Sequence, residues 1–452
     1  MKELYLYSPV ITTRLRYTAS LLLEDLLGLK VQFTSDLDAF KKAEAPGITY
    51  TQQYAYKNSL WVPACGLLFE TGIKKQSIKV VPDMELPDFL YRGVVTRSLP
   101  FFFQMQGEGY DLPFDLFSMC FYLVSRYEEY LPYEADDHGR FPAKESLAYQ
   151  QDFLKLPLVN LWAMRLGEWL RHYFPTLNIS HPQYRLLPTI DVDMAWSYEQ
   201  KGLLRAGGAM GKALLQGRLD DLRQRWQVLT GKEQDPFNTF LYLAKAHQKA
   251  GAKAIYFFLL GQHGPYDKNI APSNQKFQQL IRTIGENNLV GLHPSYGSND
   301  KRERLFAERR ILEKILDRAV VHSRQHYLRL HLPTTYQNLL EAGITDDYSM
   351  GYAAQPGFRA SIATPFHWYD LPNEQITALR IHPFMVMDVG LKDYLRHTPD
   401  SATQQIKRLI TISRTVGGQF CAIWHNSSFS AMDGWEGWQE VYDFLLREGR
   451  AR

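Results

Sequence analysis

The sequence predicts an α/β protein with two domains. The chain has 452 residues, which exceeds the size of one ordinary hydrophobic core. From about residue 181, strand patterns alternate with helix patterns, as is typical of parallel strands joined by crossover helices in a barrel or a doubly wound sheet. The preceding residues have the pattern of a smaller α/β unit followed by helices. We therefore predict an N-terminal α/β and helical domain over residues 1–180 and a C-terminal (β/α) domain over residues 181–452.

The N-terminal domain is predicted from short strand patterns and from apolar residues at helical spacing. The predicted strands are Glu3–Val10, Lys30–Thr34, Gly47–Thr51 and Ser77–Val81. The predicted helices are Thr13–Gly28, Phe114–Tyr130 and Leu158–Phe174. The loop Asp136–Phe141 has side chains that suit a metal or a ligand, although loops with acidic residues and glycine are more often plain turns.

The C-terminal domain is predicted from seven strands with helices between most of them. The strands are Arg185–Asp193, Ala254–Leu260, Leu289–His293, Val320–Leu330, Gly343–Asp347, Leu379–Met387 and Phe420–His425. The helices are Phe237–Ala250, Asn274–Asn287, Lys301–Leu316, Pro333–Ala342 and Thr403–Val416. The segment Lys201–Glu233 interrupts this alternation. Its Leu, Arg and Gly content favours an inserted helical lid, with contact to a membrane or an anionic polymer as the alternative.

Composition limits the classes of function. A formal net charge of +3 is too small to indicate nucleic acid as a partner. The three cysteines are too far apart for a disulfide framework or a zinc-knuckle spacing. No apolar run approaches the ~20 residues that span a bilayer, and the first residues lack the pattern of a secretory signal. We expect a cytoplasmic protein, with peripheral contact to the inner face of the membrane as an alternative. The sequence does not indicate an oligomeric state.

Two carboxylates at the end of the first C-terminal strand are the strongest candidates for chemistry. Asp191 and Asp193 are separated by one residue, so on a strand they share a face. Two like charges this close favour a cation between them, although a solvated turn would also accommodate them. His293, His326 and His425 follow or end other predicted strands, and functional sites collect at the carboxyl ends of parallel strands.

An ordered set of motifs resembles the polysaccharide deacetylases of the NodB-homology type, a family of metal-dependent carbohydrate esterases with a (β/α) barrel. The set covers roughly residues 185 to 430, and residues 114–129 with 138–142 also resemble the N-terminal region attached to some bacterial members. The motifs are Thr189–Asp193, Val290–Tyr296, His322–Arg329 and Ala422–His425.

The resemblance implies a role for each matched residue. Asp191 would be the general base, Asp193 and His293 metal ligands, and His425 the general acid. The family has a second histidine four residues after the first, where this sequence has Gly297, and His326 is the predicted substitute. Arg324 would orient Asp191. Ordinary structural roles remain open as alternatives: a hydrogen-bonded core histidine for His326 or His425, and a salt bridge for Arg324.

The predicted substrate contacts are weaker. They are Tyr296, Arg359, Asp388 and Trp424, with Trp368 as a further aromatic candidate and Asp267 as a further acidic one. A backbone N–H near Tyr296 is the predicted oxyanion donor. Aromatic residues at such positions are more often part of a core.

Three functions follow from these patterns. The first is a Zn²⁺-dependent deacetylase, or one using Co²⁺, Ni²⁺ or Mn²⁺, that acts on an acetylated sugar or glycan. The second is an amidohydrolase that acts on a small non-sugar C–N bond. The third is a glycan-binding protein whose catalytic site has decayed, which the departure at Gly297 motivates.

Overall fold

A computed structural model describes residues 2–52, 59–82, 99–106, 111–201, 211 and 219–451. Within these ranges the chain forms two separate sheets, one of four strands and one of nine. All strand pairs are parallel except one pair at the edge of the larger sheet. The predicted α/β class with parallel strands is therefore confirmed.

The smaller sheet belongs to the N-terminal region and has the order β2-β1-β3-β4. Its strands are β1 (Glu3–Tyr7), β2 (Lys30–Thr34), β3 (Gly47–Thr51) and β4 (Leu60–Pro63). The predicted strand over Ser77–Val81 is wrong, because only Val81 makes an isolated bridge, to Phe101. The edge position is taken instead by β4, whose residues are all buried.

The helices of the N-terminal region pack around this sheet and beside the larger one. They are Thr13–Ala19, continued by a π-helical turn over Ser20–Asp25, and Leu37–Lys42, Leu116–Val124, Leu147–Gln150 and Leu158–Tyr173. The predicted helix Phe114–Tyr130 is shorter than expected because Arg126 adopts a left-handed backbone conformation, with φ of 56°. Asp115 caps its first turn by accepting from the Ser118 N–H at 2.9 Å.

The larger sheet has the order β10-β11-β9-β8-β7-β6-β5-β13-β12. Its strands are β5 (Arg185–Val192), β6 (Ile255–Leu259), β7 (Leu289–His293), β8 (His322–Ser323), β9 (Asp346–Asp347), β10 (Phe366–Asp370), β11 (Gln375–Ile381), β12 (Val386–Met387) and β13 (Gln419–His425). Its helices are Leu219–Leu229, Phe240–Ala250, Gln275–Asn287, Arg302–Leu316, Thr334–Glu341, Pro399–Thr415 and Trp438–Glu448.

Two features of the larger sheet differ from the prediction. The predicted strand Val320–Leu330 ends at Ser323, because the chain then turns through Tyr327 and Leu328, both with positive φ. The predicted strand Leu379–Met387 is divided into β11 and β12. The first pairs with β9 and the second with β13, so one extended segment joins strands on both sides of the sheet.

The predicted lid Lys201–Glu233 lies partly outside the described residues, and its last part contains the helix Leu219–Leu229. Among the residues that the structure describes, no helix has both the length and the apolar character needed to cross a membrane.

Candidate metal centre

The acid pair lies where β5 ends. Asp191 is buried, and its Oδ1 accepts a hydrogen bond from Arg324 Nη1 at 2.8 Å. The same Nη1 lies 2.6 Å from the hydroxyl of Thr189. Asp193 follows Val192 and is only half-buried, yet its Oδ1 is a buried atom with no hydrogen-bond partner. A buried carboxylate oxygen without a donor is costly unless a cation or a proton satisfies it.

Two histidines present nitrogen atoms to Asp193. His293 is the last residue of β7, and its Nε2 lies 3.2 Å from Asp193 Oδ1. His326 begins the turn after β8, and its Nε2 lies 3.6 Å from Asp193 Oδ2. Asp193, His293 and His326 each contribute one potential ligand atom, and these three atoms all lie within 4.8 Å of one another.

Each histidine is oriented through its other ring nitrogen. His293 Nδ1 donates to the backbone carbonyl of Arg324, and His326 Nδ1 lies 2.9 Å from Asp267 Oδ1. A donor role for each Nδ1 leaves Nε2 as a lone-pair acceptor directed at Asp193. The 3.2 Å contact between His293 Nε2 and Asp193 Oδ1 would then join two acceptors, which requires a cation or a proton between them. Two imidazoles and one carboxylate are a donor set that binds Zn²⁺, with positions left for water and substrate.

The pKa values reflect the close approach of carboxylates and imidazoles of opposite charge. Burial opposes ionisation of Asp193, but His326 and His293 outweigh it and hold its pKa well below the usual range. Burial lowers the pKa of His326, but Asp193 and Asp267 raise it to about 9. The two carboxylates that favour a protonated imidazole at His326 also attract a divalent cation.

His425 lies on the other side of Asp193, at the end of β13. Its Nε2 is 3.9 Å from Asp193 Oδ2, and its Nδ1 is 2.9 Å from Oδ1 of the fully buried Asp388. Asp388 also accepts from the backbone N–H groups of Val389 and His425. Burial lowers the pKa of His425, but Asp388 and Asp193 raise it to about 10. The two carboxylates therefore favour the protonated imidazole, which is the form that can donate a proton.

These residues line one end of a cavity of about 320 Å³. Its other walls come from the C-terminal region and from one residue of the N-terminal region, Arg140. The lining includes aromatic and aliphatic side chains (Tyr266, Tyr327, Tyr394, Met194, Leu328, Met387 and Val389), together with Lys268 and Gln325.

Two predicted substrate contacts are corrected by the structure. Trp424 is fully buried and packs on Tyr442, with ring centroids 5.3 Å apart, so it belongs to the core and does not line the cavity. Arg359 is buried against Glu129, to which it donates from Nε at 2.9 Å and from Nη2 at 2.6 Å. Its guanidinium links the two regions of the chain and is not available to a sugar.

Three other predicted contacts have different surroundings from those expected. Tyr296 stacks on Tyr266 at 4.1 Å, behind the cavity wall, and its backbone N–H donates to Asp267 at 2.9 Å. That N–H is therefore engaged, and the prediction of an oxyanion donor near Tyr296 does not extend to it. Trp368 is buried beside Tyr336. Asp388 lies beneath His425 rather than in the cavity.

The sequence prediction missed Arg140, Tyr266 and Tyr327 and gave little weight to Asp267. Only the composition of the loop Asp136–Phe141 suggested that Arg140 would lie near a ligand. Gly297 stands where the resemblance led us to expect a second histidine, and a Cβ there would meet the end of the Arg304 side chain, which would have to move.

Comparisons with known proteins give a family match for the N-terminal region and distant structural matches that cover about 60% of the chain. Residues 4–175 match a family of unknown function, DUF7033. A comparison with curated protein sequences finds no match. A structure described as a polysaccharide deacetylase from Mycobacterium smegmatis matches with a TM-score of 0.39 at 14% identity, covering 59% of this chain and 84% of that one.

Two other structures match at a similar level. PuuE allantoinase has a TM-score of 0.39 at 10% identity, covering 58% of this chain and 83% of its own. A CE4 family pseudoenzyme from Bacillus anthracis has a TM-score of 0.29 at 14% identity, covering 60% of this chain and 63% of its own. Similarities this distant do not assign an activity, and the candidate centre is defined by its own side chains.

Proposed function

We propose that this chain is a metal-dependent hydrolase that removes N- or O-acetyl groups from a carbohydrate. The observation that carries the proposal is the convergence of Asp193, His293 and His326, with both imidazoles oriented by acceptors behind them. Asp191 and His425 stand beside this group as a base and an acid. The proposal includes closure of the larger sheet into a (β/α) barrel, supported by the segment that pairs with both β9 and β13.

The three ligand residues would hold a divalent cation, with Zn²⁺ favoured by the donor set. Such a cation supplies Lewis-acid polarisation of an acetyl carbonyl and lowers the pKa of water. The chain's own residues would handle the protons. Arg324 donates to Asp191 Oδ1, and Asp191 Oδ2, which lies 3.8 Å from His293 Nε2, would accept a proton from the attacking water.

Hydrolysis would then proceed by addition of water to the acetyl carbon and cleavage of the C–N or C–O bond. The leaving amine or alkoxide needs a proton, and His425, whose pKa is raised by Asp388 and Asp193, would supply it. Asp388 holds the His425 ring through Nδ1, so Nε2 is the nitrogen that donates. The products are acetate and the deacetylated compound.

The test is metal content together with acetate release from N-acetylglucosamine and its oligomers. We expect about one divalent ion per wild-type chain. Asp193→Ala and His326→Ala should lose both the ion and the activity, because each removes one of three ligands. His367→Ala is the matched control, since this histidine is exposed and lies outside the centre. Wild-type protein that binds no ion after addition of zinc or cobalt would contradict the proposal.

The size of the cavity favours one second candidate. A space of about 320 Å³ also suits an amidohydrolase acting on a small non-sugar amide. Acetate release confined to sugar substrates would exclude this candidate, whereas cleavage of non-sugar amides with no activity on acetylated sugars would establish it.

A further inference from the structure

The N-terminal region contributes a cationic side chain to the wall of the cavity. Arg140 lies in the loop Asp136–Phe141 and is only 9% exposed. Its Nε donates to Asp136 Oδ2 at 2.7 Å, and its Nη1 donates to the backbone carbonyl of Tyr327 at 2.8 Å. Both contacts fix the plane of the guanidinium before any ligand binds.

The remaining nitrogen of this guanidinium is available to a ligand. Among the described residues, no acceptor contacts Arg140 Nη2, although the side chain is largely buried and lines the cavity. An arginine that lines a cavity, is held at two of its nitrogens and has its third nitrogen unpaired is suited to bind an anionic oxygen. Asp136 offsets part of the charge of Arg140, so a clear preference for an anionic ligand needs one further cation.

Lys268 supplies that second cation. It is exposed and lines the same cavity, directly after Asp267, the acceptor that orients His326. Its charge therefore lies near the opening, whereas Arg140 is set in the wall. Asp191 and Asp193 line the same cavity, but the proposed divalent cation would offset their charge. Arg140 and Lys268 then favour a ligand that carries a negative group in addition to the group that reacts.

The dimensions of the cavity limit the size of that ligand. A volume of about 320 Å³ lies at the lower end of small-molecule sites. Tyr266 and Tyr327 form part of its wall and are 42% and 37% exposed. One face of Tyr266 is covered by Tyr296, but part of each ring is open to a ligand. A single sugar ring with a substituent fits such a space better than a polymer.

We propose that the substrate is a monosaccharide-sized acetylated compound with an anionic group, phosphate or carboxylate, and that Arg140 and Lys268 select for that group. The acetyl chemistry in this statement rests on the function proposed above. The charge preference is measurable without turnover. The N-terminal region thereby supplies a specificity-determining residue to a site that lies mainly in the C-terminal region.

The test is ligand binding by calorimetry to the metal-loaded Asp191→Asn protein, which keeps the three metal ligands and lacks the base. The ligands are N-acetylglucosamine, its 1-phosphate, its 6-phosphate, N-acetylmuramic acid and the N-acetylglucosamine tetramer. We expect at least one anionic monosaccharide to bind about 10- to 100-fold more tightly than N-acetylglucosamine, as expected for one charge-assisted hydrogen bond. The phosphates and the carboxylate separate the two possible anions.

Substitutions assign the preference to its residues. Arg140→Gln and Lys268→Gln, each in the Asp191→Asn background, should reduce the ratio of anionic to neutral affinity towards one. Lys144→Gln is the control, because this exposed lysine of the N-terminal region lies outside the cavity. Since Lys268 is exposed, its variant tests the inference even if Arg140→Gln fails to fold.

Three results would overturn the inference: equal affinity for charged and neutral monosaccharides, tighter binding of the tetramer, or an unchanged ratio in both variants. An equal loss of affinity for all ligands in Arg140→Gln would show that Arg140 only supports the loop. Failure of the proposed function has a different signature. The charge preference would then be present in binding, while wild-type protein would release no acetate from any of the compounds.

Discussion

At the scale of single residues, two buried carboxylates hold two histidines that have different proposed roles. Asp267 accepts from Nδ1 of His326, a proposed metal ligand, and Asp388 accepts from Nδ1 of His425, the proposed acid. Both contacts are 2.9 Å long. The same local interaction therefore serves metal binding in one case and proton transfer in the other.

Substitution of Asp267 and of Asp388 should have different effects, so each variant serves as the control for the other. Asp267→Asn should weaken metal affinity by about 10- to 100-fold, because the ligand His326 loses its orienting carboxylate. Asp388→Asn should leave metal affinity within about twofold and lower kcat by about 10- to 100-fold, because His425 loses the charge that favours its protonated form. Metal titration against a competing chelator and acetate-release kinetics measure the two effects. Loss of metal affinity in both variants would make His425 a ligand.

The errors at single residues have a simple cause. Successive side chains of a strand point to opposite faces, so Trp424 and His425 cannot both face the cavity. The same rule places Asp191 and Asp193 on one face, and it would have assigned Trp424 to the core. The partners of Arg359 and His326 could not be predicted, because Glu129 and Asp267 lie 230 and 59 residues away in the sequence.

At the scale of elements, the site depends on the turns that follow the strands. The turn after β7 carries Ser295, whose backbone N–H donates to Glu308 Oε2 at 2.8 Å and whose hydroxyl contacts Oε1. Glu308 lies on the helix Arg302–Leu316 and is buried. Burial raises the pKa of this carboxyl to about 7, against the hydrogen bonds from Ser295, which lower it.

This raised pKa predicts a loss of stability with rising pH. The folded state binds a proton that the unfolded state releases near pH 4.5, so the contribution of Glu308 becomes less favourable from about pH 4.5 to about pH 7. We compare the free energy of unfolding of Glu308→Gln with that of wild type at pH 5 and at pH 8. The difference between the two proteins should shift in favour of the variant by about 2–3 kcal/mol from the lower to the higher pH. Urea denaturation at both pH values measures it. Glu303→Gln, an exposed position on the same helix, should show no such change, and a parallel response of Glu308→Gln and wild type would refute the assignment.

Elements with regular patterns were predicted better than those set by long-range contacts. The strands β5, β6, β7 and β13 lie close to their predicted positions because each is a run of mostly apolar residues. The strand Val320–Leu330 was predicted too long, since its apolar residues continue through a turn with positive φ that the sequence does not mark with glycine. The strands β4 and β10 were missed.

At the scale of the whole molecule, the two regions are joined by buried charges. Glu129 of the N-terminal region accepts from Arg126 Nε at 2.7 Å and from Arg359 of the C-terminal region at 2.9 and 2.6 Å. Burial opposes the charge on Glu129, but the two guanidinium groups outweigh it and lower its pKa. A second pair, the buried Arg14 with the half-buried Glu374, also joins the regions. We did not predict this junction from the sequence, because nothing in the sequence around Glu129 or Glu374 indicates which distant arginine it pairs with.

These contacts predict that the two sheets lose stability together. Glu129→Gln leaves two buried guanidinium groups without their shared carboxylate, which should cost about 3–5 kcal/mol. The control is Glu341→Gln, which breaks the exposed pair with Arg302 and should cost less than about 1 kcal/mol. Hydrogen–deuterium exchange with peptide resolution measures the opening free energy of β3 and of β6 in each variant. We expect Glu129→Gln to lower the opening free energies of β3 and of β6 by similar amounts. The reason is that the junction breaks only when the two regions separate or when they unfold together. A decrease confined to one sheet would mean that the regions are stabilised independently, and Arg140 would then be held in the cavity by its own loop and the carbonyl of Tyr327 alone.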